Sequence, residues 1–237
     1  MSTYFSQYLQ DQFVDEVVLN KKRNGFFLDI GAHDGISYSN SYFFEKYRAF
    51  NGICVEPNPT VFAKLKANRN TTCMNVCIGQ PDGMVKFLVI EGYGEMLSGV
   101  LDSYAPEHME RTNNIIELEG GAKKEIEVPS IPLQKIDLLE GIEIDYCSID
   151  TEGHEYSVLN SIDFDKVKIK CFTIENNYND KNVENLLASK GYVNVFRIGD
   201  DDVFIIKNMH DTSMKFRLFI YRIKRKTKNW LNRLRHG

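Results

Sequence analysis

Three short runs hold the residues best suited to chemistry. The first is Phe27-Leu28-Asp29-Ile30-Gly31-Ala32-His33-Asp34-Gly35, an apolar stretch that stops at an acid and a glycine turn. Glycine after a buried strand lets backbone approach a ligand closely, and an acid just before it suits a cationic group. The second is Val55-Glu56-Pro57-Asn58-Pro59. Glu56 ends a short apolar run, where a carboxylate can accept hydrogen bonds from the ribose hydroxyls of a nucleoside. The third, Ile149-Asp150-Thr151-Glu152-Gly153-His154-Glu155, packs four ionisable side chains into six residues. Such a cluster is costly unless its members are exposed, paired or used. His154 titrates near neutrality and is a candidate general base.

Each run has a plain alternative. A strand-to-helix turn can be glycine-rich without a ligand, and a glutamate can end a strand at the surface. Asp150 can cap a helix whose acidic first turn carries Glu152 and Glu155.

The elements that must position these groups alternate. Strands are expected at 25–31, 53–55, 73–78, 84–90, 126–131, 144–149 and 168–174, with helices at 37–48, 59–68, 155–160 and 182–190. Pro59 is placed to open its helix. Strands at 192–198 and 203–207 are separated by about four residues, too few for a parallel crossover. They therefore form an antiparallel hairpin closing a mostly parallel α/β sheet. That is the class I, Rossmann-like architecture of S-adenosylmethionine (SAM) methyltransferases. The dinucleotide fingerprint Gly-x-Gly-x-x-Gly is replaced here by Gly-x-x-x-Gly, which argues against an NAD-binding turn.

The domains follow: a helical segment over 1–24 with Tyr8, Phe13, Val14 and Val17 on one face, a catalytic domain over 25–210, and a tail over 211–237. Residues 91–125 are Gly- and Glu-rich with weak periodicity and are expected to be a long loop, an acceptor lid offering Tyr93, Ser98, Tyr104 and His108.

The 237 residues carry a net charge of -4, which hides an asymmetry. Residues 213–237 hold nine Lys/Arg and no Asp/Glu, leaving 20 basic against 33 acidic side chains elsewhere. The acidic body argues against a specific nucleic-acid binder. In the tail, Phe216, Phe219, Ile220, Ile223, Trp230, Leu231 and Leu234 recur at helical spacing among cations. Peripheral membrane contact, or docking on the acidic body, is expected of it. No apolar run is long enough to span a bilayer and no signal peptide is evident, so a cytoplasmic protein is expected, held if at all at the inner face of a membrane. Five scattered cysteines fit reduced, buried thiols.

In combination, the 27–35 stretch, the Glu56-Pro57-Asn58-Pro59 run and Ser148-Ile149-Asp150-Thr151-Glu152-Gly153-His154-Glu155 resemble the FkbM family of SAM-dependent methyltransferases. Ser6-Gln7-Tyr8-Leu9-Gln10-Asp11 and Ser39-Asn40 are also similar to its pattern, and the resemblance spans roughly residues 4–208. It implies O-methylation of a hydroxyl, often on a sugar or a polyketide-like product. It places Asp29, Gly31, Ala32, His33, Gly35, Glu56 and Asn58 around SAM, Asp82 near the adenine, and Ser148 and Asp150 near the methionine end or the acceptor. Asp150, Glu152 and His154 become the candidate catalytic groups. Asp150, Glu175 and Asn176 also resemble, by strand-end position, the oxygen ligands of Mg2+-dependent catechol-type O-methyltransferases. The other readings are an NAD-dependent sugar oxidoreductase or epimerase and a non-catalytic module of the same fold. The oligomeric state is open.

Overall fold

The computed structural model describes residues 4–236, with side chains through residue 227. The strands are β1 (Phe26–Ile30), β2 (Asn51–Val55), β3 (Thr72–Met74), β4 (Cys77–Ile78), β5 (Gly83–Glu91), β6 (Gly99–Val100), β7 (Ala122–Ile131), β8 (Glu143–Ile144), β9 (Tyr146–Ile149), β10 (Lys168–Ile169), β11 (Cys171–Glu175), β12 (Tyr192–Ile198) and β13 (Asp201–Ile206). The helices are α1 (Gln10–Phe13), continued by a π-helical turn over Val14–Val18, then α2 (Tyr42–Arg48), α3 (Pro59–Asn68), α4 (Pro106–Glu119), α5 (Glu155–Asn160), α6 (Lys181–Ser189) and α7 (Thr212–His236).

Seven strands form the main sheet in the order β12-β13-β11-β9-β1-β2-β3. All neighbours are parallel except β13, which runs antiparallel to both β11 and β12. The terminal hairpin expected from its short connection is therefore present. The chain starts in the middle at β1, moves out through β2 and β3, then returns to β9 on the other side. This reversal opens a crevice beyond the carboxyl ends of β1 and β9, the place where open α/β sheets bind ligands.

Successive strand residues point to opposite faces, and the two faces bury separate cores. Leu28, Ile30, Ile53, Val55, Ile149, Phe172 and Phe204 pack with α5 and α6 through Val158, Val183 and Leu187. Phe27, Cys54, Tyr146, Cys171, Val203 and Ile205 pack with Phe13, Val17, Phe43, Phe44 and the tail residues Met214 and Leu218.

Three expected elements are corrected. The run 73–78 is two strands in two sheets, β3 in the main sheet and β4 paired with β7. Between them Asn75 donates to the carbonyls of Glu56 (2.8 Å) and Pro57 (2.9 Å), which bends the chain out of one sheet towards the other. Residues 91–125 are not a long loop. They contain β6, the 14-residue helix α4 and the start of β7, which pairs with β5 along its whole length. Helix α4 fully buries the polar His108 and Thr112 and only partly covers Met109, Ile115 and Ile116, so its apolar period is weak. The run 144–149 is broken at Asp145, whose carboxylate accepts from Lys22 Nζ (2.7 Å), Lys170 Nζ (2.9 Å) and the Phe26 amide (3.1 Å).

Candidate functional site

A cavity of about 230 Å³ lies over the carboxyl ends of β1, β2, β9 and β11. Its floor is set by the turn after β1. Gly31 has φ +86°, and a Cβ built there would stand 1.7 Å from the Asp150 carbonyl oxygen. Only glycine lets the β1 turn pass that close to the end of β9. The amides of Gly31 and Ala32 both donate to the Val55 carbonyl at 3.0 Å, which ties the turn to β2.

Glu56 ends β2 and is buried. One of its carboxylate oxygens accepts the His33 amide (3.1 Å) and the other the Asn58 amide (2.8 Å). Each oxygen keeps acceptor capacity for a further donor. Burial pushes this carboxyl up to about 7. Asn58 also lines the cavity, but its side-chain oxygen caps α3 by accepting the Thr60 amide (3.1 Å).

Asp29 lines the cavity as a tethered group. It accepts from Ser41 Oγ at 2.5 Å. Burial raises its pKa, opposed by the buried Arg69 and by Ser41. Arg69 in turn donates to Glu45 (2.6 Å), the Gly35 carbonyl (3.1 Å) and Ser41 Oγ (3.0 Å). This network holds the 35–41 loop beneath the cavity and brings in Asn40. Asn40 Nδ2 donates to Ser148 Oγ (3.0 Å), while its buried Oδ1 has no hydrogen-bond partner among the described residues. An orphaned buried acceptor is costly, and a ligand N–H group at this wall would satisfy it.

On the other side of the cavity, Asp150, Glu152 and Glu175 each bring a carboxylate oxygen within 4.8 Å of the others. Burial, reinforced by neighbouring carboxylates, pushes all three well above the usual carboxylate range. Glu152 Oε2 lies 3.6 Å from His108 Nδ1, and neither atom has a hydrogen-bond partner among the described residues. Glu175 accepts from Asn177 Nδ2 at 2.7 Å. Glu155 belongs to the loop's frame instead. Its Oε1 accepts the amides of Thr151 (2.9 Å) and Gly153 (3.1 Å) and the Thr151 hydroxyl (2.9 Å).

His154 also borders the cavity, with Nδ1 2.5 Å from Ser103 Oγ and a buried Nε2 that has no partner among the described residues. Burial lowers its pKa to about 4, so the imidazole is neutral at pH 7 and a weak base. Three expected site residues lie elsewhere. Asp82 is exposed beyond the cavity and paired with Lys135, because the bend at Asn75 carries that turn into the second sheet. Gly35 packs under α3, its missing Cβ leaving room for Leu65 and Arg69. Asn176 donates to Asp202 (2.9 Å) and accepts the Asp180 amide (2.6 Å), so the acidic trio takes Glu152 rather than Asn176 as third member.

The 91–125 insertion covers the cavity through Glu95, Met96, Leu97, Ser98, Val100 and Arg111. Of the four lid residues expected to face a sugar, only Ser98 lines it. Tyr93 is exposed, Tyr104 donates its hydroxyl to the Leu97 carbonyl, and His108 is buried beside Tyr104. Glu95 is the latch: it accepts from Lys64 Nζ on α3 (2.9 Å) and lies 3.2 Å from His33 Nε2. The N-terminal segment closes the last side, where Gln10 donates to Asp201 at 2.7 Å beside Gln7 and Tyr8. Asn40, Glu95, Arg111 and Gln10 were not singled out as site residues from sequence, since each reaches the cavity from an element remote in the chain.

The family model for the FkbM methyltransferase domain matches residues 29–194. The chain belongs to this family. The match covers Asp29, Glu56, Asp150 and Glu175, and it sets aside the oxidoreductase reading in favour of a SAM-dependent methyltransferase. No curated protein sequence matches the chain significantly. Among solved structures, the precorrin-6Y C5,15-methyltransferase of Geobacter metallireducens GS-15 is similar at 14% identity and TM-score 0.41, covering 84% of this chain and 87% of that one. A methyltransferase from Pyrococcus furiosus shows 11% identity and TM-score 0.39, covering 82% and 79%. The human methyltransferase 10 domain-containing protein shows 12% identity and TM-score 0.38, covering 86% and 83%. The FkbM-family residues fit SAM on their own geometry: a close-approach glycine, a strand-end Glu56 and the orphaned Asn40 Oδ1 converge on one wall.

Proposed function

We propose that this methyltransferase acts on a hydroxyl group, with a saccharide or glycoconjugate as the acceptor class. The observation that carries this reading is the carboxylate trio of Asp150, Glu152 and Glu175 next to the cofactor wall. An alcohol is a poor nucleophile until its proton is removed, and a carboxylate whose pKa is raised by burial takes that proton more readily than an ordinary one. When bound, SAM supplies an already activated methyl on its sulfonium, so the protein's work is alignment and proton removal.

Glu56 would hold SAM by accepting from its ribose hydroxyls, and Asn40 Oδ1 would accept from its methionine ammonium. The trio receives the acceptor's proton, and Arg111 and Ser98 on the lid contact its remaining polar groups. His154, neutral and held by Ser103, supports the Asp150–Glu155 loop from behind. The same three oxygen donors are the set a Mg2+ ion would take, and such an ion would lower the acceptor's pKa in place of a base.

The test is calorimetric titration with S-adenosylhomocysteine, with NAD as control, followed by methyl transfer to saccharide acceptors with and without Mg2+. Micromolar binding of S-adenosylhomocysteine alone is expected. Asp150→Asn is expected to cut turnover by at least about 100-fold while changing that affinity by less than about threefold. Turnover that survives the substitution would remove the trio from the chemistry.

A further inference from the structure

Over its described side chains, residues 212–227, helix α7 carries two apolar faces, and among the described residues only one is covered. On the inner face Met214 and Leu218 are buried in the core beside Val14 and Val17. Tyr221 packs edge-on against Phe13 and Phe196. Arg217 donates to the Val17 carbonyl at 2.8 Å, and Arg222 and Arg225 sit over the Phe196 ring. These contacts fix the helix and use up three of its cations.

The outer face is uncovered. Phe216 is 64% exposed, Phe219 59% and Ile223 46%. At about 100° per residue these three fall within roughly 60° of one another, and Met214, Leu218 and Tyr221 lie on the opposite side. Lys215 and Lys226 flank the stripe on one side and Lys224 on the other. All three lysines are exposed, and their side chains make no hydrogen bond or ion pair among the described residues. Among the described residues no helix is long and apolar enough to cross a membrane.

We propose that this outer face binds the surface of an anionic lipid bilayer. The helix lies in the plane of the interface, with Phe216, Phe219 and Ile223 in the headgroup–acyl boundary and the lysines on the headgroups. Charge selects this occupant. Residues 213–237 carry nine cations and no acid, so a second copy would set like charges against each other. A nucleic acid would need cations at the centre of the face, where the apolar stripe lies. An anionic bilayer meets both features, apolar centre and basic flanks.

Full-length protein is sedimented with vesicles of phosphatidylcholine alone or of phosphatidylcholine with about one-third phosphatidylglycerol. Binding to the anionic vesicles is expected to exceed that to neutral ones by at least about tenfold, and to weaken about fivefold for each of Lys215, Lys224 and Lys226 replaced by Gln. The triple variant Phe216→Ser, Phe219→Ser, Ile223→Ser is expected to lose at least about tenfold while its circular dichroism and Tm are kept, since Met214 and Leu218 still anchor the helix. Equal binding to neutral vesicles, or unchanged binding by the serine variant, would overturn the proposal. So would a wild-type dimer that the serine variant converts to monomer, or displacement from vesicles by single-stranded RNA.

Discussion

Gly31 and Gly35 sit four residues apart in one turn, both at positive φ, yet they do different things. At Gly31 the neighbour is the Asp150 backbone carbonyl, which cannot move without shifting the central strand β9. At Gly35 a Cβ would stand 2.6 and 2.7 Å from side-chain carbons of Leu65 and Arg69, which can give by rotation where a strand carbonyl cannot. Gly31→Ala is therefore expected to cost at least about 3 kcal/mol, and Gly35→Ala less. Urea unfolding of the two variants checks this, and equal losses would mean that the close approach to β9 is not what demands glycine at Gly31. The same scale separates the acids of the 150–155 run. Glu155 is consumed by three local donors, which leaves Asp150 and Glu152 free to serve the cavity.

At the level of elements, the insertion after β5 is a folded lid that meets the 150–155 loop through Ser103 and His108 and the opposite side of the cavity through Glu95. Glu95 reaches back to Lys64 on α3 and to His33 in the β1 turn, so it bridges the lid to the part of the cavity given to the cofactor. Surface ion pairs of this kind contribute little to global stability. Glu95→Ala is expected to change unfolding stability by less than about 1 kcal/mol while raising the S-adenosylhomocysteine dissociation rate severalfold. Stopped-flow displacement measures the rate, and limited proteolysis within 92–121 should speed up in parallel. A rate equal to wild type would show that the lid is held by its apolar contacts, Leu88, Ile90 and Leu97 with Ile115 and Ile116.

For the molecule as a whole, the cost of concentrating acids at the strand ends appears in its pH dependence. Glu56 is raised to about 7 and Asp201 to about 6, both by burial. A carboxyl whose folded pKa exceeds its unfolded value binds more protons when native, so its stabilisation is full at low pH and lost as pH rises through the folded pKa. His154 acts the other way: its folded pKa near 4 removes stability as pH falls from 6.5 towards 4. Between about 4.5 and 6.5 the two effects oppose each other. Between about 6.5 and 7.5 the opposing effect of His154, and of His108 whose pKa burial also lowers, fades as the unfolded imidazoles lose their protons. The buried carboxyls, Asp150, Glu152 and Glu175 among them, then outweigh it, and the ligand-free protein is expected to lose stability as pH rises. Urea midpoints across that window check the sign. Glu56→Gln should flatten the slope, and bound S-adenosylhomocysteine, whose ribose donors favour the Glu56 carboxylate, should also reduce it. A ligand-free midpoint that rises across the window would contradict the burial of these acids.

The sequence by itself determined the sheet and the strand-end acids. Alternating apolar runs and helices, with a closing connection of about four residues, force a parallel sheet ending in an antiparallel hairpin, because those are short-range constraints of backbone geometry. Strand-end positions followed from the same register, so Asp29, Glu56, Asp150 and Glu175 could be placed at one edge. Tertiary structure decided which of their neighbours face the cavity. Asp82 and Asn176 follow strands as well, but a bend at Asn75 and a hydrogen bond to Asp202 take them away. Asn40, Glu95, Arg111 and Gln10 reach the cavity from a loop, a lid and the N-terminus, brought there by long-range packing that leaves no local period. The lid helix α4 escaped because its inner face is thin: His108 and Thr112 are fully buried, Met109, Ile115 and Ile116 only partly, and so narrow an apolar stripe reads weakly in the sequence. In the tail, helical spacing was visible, but the covered face is the one bearing Met214 and Leu218. Which side of an amphipathic helix meets the body depends on what the body offers it.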